Sequence, residues 1–93
     1  MSTIKIVRKH NLSHTKARAV AEKIAKDLQK RFELEYEWDG DDVDFERPGV
    51  SGRLAVAKDK FLLDVKLGWL TSPFKTAFEN EINAQFDKLI GKA

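Results

Sequence analysis

Cysteine is absent from this 93-residue chain, and proline (two), glycine (five) and histidine (two) are scarce. Without cysteine there is no disulfide and no thiolate chemistry, so the fold must rest on a packed core; a cytoplasmic address fits that lack. No apolar run approaches the roughly 20 residues of a membrane span, so no transmembrane segment is expected. The opening MSTIKIVRKH has no hydrophobic signal core, which argues against secretion. Catalytic signatures are missing as well: there is no GxSxG, no P-loop and no dinucleotide fingerprint. His10 and His14 are four apart, but His10 precedes the helix that Ser13 caps, and two imidazoles fall short of a zinc set. Both are expected on the surface. Asp39, Asp41, Asp42 and Asp44 match a calcium loop only in composition, since Asp44 and Val50 stand where an EF-hand needs glycine and glutamate. A hydrolytic carboxylate pair needs a cleft that splits its two pKa values, and an exposed acidic hairpin supplies none. The expectation is a non-enzyme with no metal and no cofactor.

What is present is periodicity. The stretch from Phe61 to Ile90 carries most of the architecture. Phe61, Leu63, Val65 and Leu67 alternate with Lys60, Leu62, Asp64 and Lys66, the pattern of a half-buried strand. Gly68 ends it. Ser72 is expected to cap a helix with Pro73 at its first position, where the missing N–H costs nothing. Phe74, Ala77, Phe78, Ile82, Phe86, Leu89 and Ile90 then recur at helical spacing, and Gly91 closes the end. Phe74, Phe78, Ile82 and Phe86 are expected to pack on the four apolar strand residues.

Upstream, Thr3–Arg8 reads as a short strand with Ile4 and Ile6 on one side. Ser13 caps a first helix whose apolar stripe is Ala17, Val20, Ala21, Ile24, Ala25, Leu28 and Phe32. Glu22–Lys26, Lys23–Asp27 and Asp27–Arg31 are candidate i,i+4 pairs. In ELEYEWDGDDVDFE, Leu34, Tyr36, Trp38, Val43 and Phe45 alternate with acids around an Asp39-Gly40 hairpin signal. Lys5, Arg53 or Lys66 is expected to relieve the repulsion of that acidic face. Arg47-Pro48-Gly49-Val50 has the form of a type II turn. Val50, Gly52, Leu54 and Val56 face inward on the next strand, with Gly52 marking a bulge. The whole is expected to be a single α+β domain over 1–93. The order β-α-β-β-β-β-α implies a two-layer sandwich: an antiparallel sheet of four to five strands with two helices on one face.

Charge is distributed unevenly. Residues 1–31 carry nine Lys/Arg against two Asp/Glu, and residues 32–49 one Arg against eight acids. Neighbouring elements can neutralise one another. The alternative is a basic face, Lys16, Lys23, Lys26, Lys30 and Arg31, for anionic lipid or nucleic acid. Single-strand binders add exposed stacking aromatics; here the aromatics fall on inward positions or the last helix, which argues against nucleic acid. Trp69 and Leu70 lie outside both periods and, with Phe74, form a candidate apolar tip for a lipid-like surface or a partner. Ala55, Ala57 and Leu62 weaken the outer sheet face and leave room for a homodimer.

The segments STIKIVRKHNLSHTKARAVAEKIAKDL, WDGDDVDFERPGVSGRLAV and LLDVKLGWLTSPFKTAFENEI together cover nearly the whole chain. They resemble the polyhydroxyalkanoic acid system protein family. That resemblance implies a short bacterial protein in a storage-granule context, with the granule surface or a granule-coat protein as partner. It carries no catalytic motif and transfers no site residue.

Overall fold

A computed structural model describes residues 2–68 and 72–91. The order is β1 (Ser2–Lys9), α1 (His14–Phe32), β2 (Glu35–Asp39), β3 (Asp42–Arg47), β4 (Val50–Val56), β5 (Lys60–Leu67) and α2 (Lys75–Ile90), with a 3₁₀ turn at Ser72–Phe74 before α2. The five strands form one antiparallel sheet ordered β1-β5-β4-β3-β2, so the expected α+β sandwich is the one observed. β1 and β2 occupy opposite edges. α1 carries the chain across the sheet between them, and the meander β2 to β5 returns it.

Side-chain alternation decides which face is covered. The rung Ile4–Val65–Gly52–Phe45–Tyr36 and the rung Ile6–Leu63–Leu54–Val43–Trp38 point to the helices. Val43, Leu54, Phe61 and Val65 are fully enclosed there with Ile24, Leu28, Ile82 and Phe86. Each large side chain removed from water contributes about 1.5–3 kcal/mol, which is what holds two marginal helices on the sheet. α2 lies over β1, and α1 over β2, β3 and β4.

Local expectations meet mixed outcomes. Ser13 caps α1 as expected, its hydroxyl accepting from the Lys16 N–H at 3.3 Å. The type II turn at Pro48-Gly49 has Gly49 at φ 83°, the positive angle its third position demands. The first hairpin turns on Gly40-Asp41, with Asp39 still in β2. Ser72 is not the α2 cap: the 3₁₀ turn precedes the helix, and Phe74 holds the cap position without a side-chain bond. A 3₁₀ start shares its Ser-Pro signal with an α start. Gly52 makes no bulge, since pairing with Phe45 and Val65 runs on unbroken. A Cβ there would stand 2.7 Å from Val65 Cγ2 and 2.9 Å from the Asp64 carbonyl oxygen, so close approach is what the glycine permits.

Ion pairing also departs from helical spacing. Of the three i,i+4 pairs only Asp27–Arg31 forms; Glu22 instead accepts from Tyr36 Oη at 3.3 Å and Trp38 Nε1 at 3.4 Å. Neither Lys5 nor Lys66 answers the acidic hairpin. Arg53 does, reaching Asp44 at 2.6 Å, Asp42 at 3.1 Å and Asp39 at 3.4 Å.

Candidate functional site

At one end of the molecule the last inward rung, Leu67–Val50–Arg47, runs out beneath the junction of the helices. α1 ends here and α2 begins, because the two run antiparallel: His14 sits at the hairpin tip, Phe32 stacks on Phe78 at 4.8 Å, and Asp87 lies near Arg8 at the far end. The junction leaves a cleft of about 250 Å³. Its apolar lining is Phe32, Leu34, Val50, Leu67, Phe74 and Phe78, and its rim holds Lys30, Arg31, Glu33 and Arg47. Phe74 is 57% exposed at the mouth, against the expectation that it would pack on the sheet. With the 3₁₀ turn in front, α2 starts at Lys75, two residues later than expected, and the first buried ring is Phe78.

The rim charges differ in availability. Arg47 Nη1 donates to the Phe32 carbonyl at 2.6 Å and so closes the C-terminus of α1. Arg31 is committed: its Nε lies 2.9 Å from Asp27 and 3.1 Å from Glu81. Lys30 is exposed and has no ion pair among the described residues. Of the basic set read from the sequence, Lys30 and Arg31 therefore reach the cleft, and Arg31 is not free for an anionic partner. Lys16, Lys23 and Lys26 lie exposed along α1, away from it. Trp69 and Leu70, the other members of the expected tip, lie outside the described residues.

The Arg31 pair hides a proton question. Asp27 and Glu81 face each other across the helix contact with side chains 17% and 19% exposed, and Asp27 Oδ2 is shielded without a hydrogen-bond partner. The Glu81 carboxyl is pushed above its ordinary value, first by the facing Asp27 carboxyl and then by burial, while Gln85 and Arg31 oppose. A protonated Glu81 is able to share its proton with the facing Asp27 carboxyl. Because the folded state holds that proton more tightly, the stabilisation is complete below the ordinary value of 4.5 and is lost as pH rises through the raised one. Glu81→Gln keeps a neutral donor there at every pH. Melting temperatures from pH 4.5 upward are expected to fall in the native protein and to stay level in the variant; parallel curves would contradict the shared proton.

Elsewhere, polar groups hold the fold together. Arg8, on the inward side of β1, donates to Asp87 and, at 3.2 Å, to Asn83, and lies over the Phe86 ring at 5.5 Å. The strand period puts Arg8 inward after Ile4 and Ile6 but does not name its partners. Asp41 binds His14 Nε2 and Arg18 Nη1, each at 2.8 Å, and both bonds hold its carboxyl below the usual range. Arg18 also lies 4.1 Å over Trp38. The basic helix and acidic hairpin thus neutralise each other in part. His10, expected on the surface, is half-buried: its Nδ1 accepts from the Leu12 N–H, Nε2–H donates to the Ala57 carbonyl, and the ring packs 4.6 Å from Phe61. On the outer sheet face, Val7, Leu62 and Ala55 form a short apolar rung beside the charged rung Lys5–Asp64–Arg53–Asp44.

Among the described residues no helix is long and apolar enough to cross a membrane. The family profile described as "Putative polyhydroxyalkanoic acid system protein" matches residues 4–90. The chain belongs to that family. Searches of curated proteins and of solved structures return no match. The match to this polyhydroxyalkanoic acid system protein takes in both helices, all five strands but for the first residues of β1, and every described residue of the cleft.

Proposed function

We propose that this family member is a non-enzymatic accessory protein of polyhydroxyalkanoate metabolism, acting in the cytoplasm at the storage granule. Its cleft end is the part that meets the granule's hydrophobic surface or protein coat. The exposed Phe74 at an apolar mouth carries the reading. A polyester granule offers apolar surface to water, and adsorption strengthens with the apolar area removed. Burying one phenylalanine is worth about 1.5–3 kcal/mol, or roughly 10- to 150-fold in partition.

Phe74→Ser is therefore expected to lower the granule-bound fraction about tenfold or more in co-sedimentation, with the unfolding free energy lowered by no more than about 0.5 kcal/mol, because the side chain is largely exposed and serine suits the α2 cap position. Undiminished binding by the folded variant would remove Phe74 from the contact.

A second reading rests on Val7, 59% exposed, in the outer rung with Leu62 and Ala55. It makes that face a homodimer interface. Sedimentation equilibrium decides it: a strict monomer at high concentration leaves the face without that role.

A further inference from the structure

We infer that the cleft between the end of α1 and the start of α2 binds the carboxylate end of a straight aliphatic chain. This goes beyond the granule reading, since it needs only a soluble acid. Three features define the ligand. Among the described residues the floor, from Phe32, Leu34, Val50 and Leu67 to Phe78, offers no polar side chain, so the inserted part is hydrocarbon. The volume of about 250 Å³ is at the small end for a ligand cleft, which suits a slim unbranched chain better than a bulky ring system.

The rim sets the charge. Arg31 is neutralised by Asp27 and Glu81. Among the described lining residues, Lys30 and Arg47 then stand against Glu33, leaving about one positive charge uncompensated. One charge suits a monoanionic carboxylate better than a phosphate dianion. The Arg47 guanidinium spends one N–H on the Phe32 carbonyl and retains others for a carboxylate oxygen. Lys30 adds a flexible ammonium.

Titration calorimetry with butanoate, hexanoate and octanoate, each below its micelle concentration, tests this on the full chain, with 1-octanol and octyl phosphate as comparisons. Affinity is expected to rise about two- to fourfold per methylene up to octanoate. Octanol and octyl phosphate are expected to bind at least fivefold more weakly than octanoate. Lys30→Glu and Arg47→Gln should each lower octanoate affinity about five- to tenfold, and amide shifts on binding should centre on Phe32, Val50 and Phe78. Absent or non-saturable octanoate binding, equal binding of octanol, or shifts centred on the outer sheet face would overturn the assignment. Granule co-sedimentation of Lys30→Glu separates the two readings. Lost acid binding with retained granule binding leaves the granule contact standing; octanoate binding by a native protein that does not co-sediment with granules leaves the acid site standing.

Discussion

Replacing Phe86 by alanine is expected to remove about 3–5 kcal/mol of stability, the range for a fully buried phenylalanine truncated to a methyl. Phe86 is wholly enclosed, lies 5.5 Å from the Phe61 ring, and carries the Arg8 guanidinium over its own ring at 5.5 Å. The cavity would therefore open beneath a charge. Arg8 would lose its aromatic surface while still tied to Asp87 and Asn83. Neighbours cannot close the gap easily, because Phe61 is fixed between His10 and Phe86. Domains of this size are typically stable by 5–15 kcal/mol, so the loss takes a large share of the total. Urea unfolding checks it: a lower midpoint at unchanged slope is expected, with Phe86→Leu, which keeps more of the volume, losing less than Phe86→Ala. Equal losses for leucine and alanine would mean that shape, not volume, dominates the site.

Gly52→Ala should cost about 1–3 kcal/mol, and Gly52→Val more. The added Cβ meets a side-chain methyl of Val65, which can turn away, and the Asp64 carbonyl oxygen, which is held in the β4–β5 ladder. Val65→Ala in the Gly52→Ala background should therefore recover only part of the loss. Full recovery would locate the whole clash in the methyl, and an unaffected Gly52→Ala melting point would show that the strands separate freely at this rung.

Gly52 also shows where sequence reading stops. A glycine inside a strand looks the same whether it marks a bulge or a close approach, and only the neighbouring strand tells them apart. The alternation of Phe61, Leu63, Val65 and Leu67 against the stripe Ala21, Ile24, Ala25 and Leu28 was legible because it is local and repeats. From it followed the element order, the antiparallel meander and the covered face. Glu22 was read as a partner of Lys26, four residues on, since helical spacing is the nearest geometry a sequence offers; its partners Tyr36 and Trp38 lie on another element. Arg8 continues the inward alternation of Ile4 and Ile6, but a charge at that position announces a partner without naming it.

The cleft was legible only in pieces. By sequence alone Phe74 belongs to an apolar tip, and Lys30 with Arg31 to a basic face. They meet because two antiparallel helices bring positions more than 40 residues apart to one end. Arg47 was read as the first residue of a turn. Its bond to the Phe32 carbonyl depends on where α1 stops, at Glu33 in the left-handed region with φ 58°. Such an ending on a residue other than glycine has no reliable sequence signal.

Amide hydrogen exchange of the protein bound to isolated storage granules, compared with the free protein, tests the central claim that the helix-junction end is the granule-facing surface. Slowed exchange confined to the start of α2, the end of α1 and the Arg47–Val50 turn is expected. Protection centred instead on β1, β5 and the outer rung of Val7, Leu62 and Ala55 would contradict it.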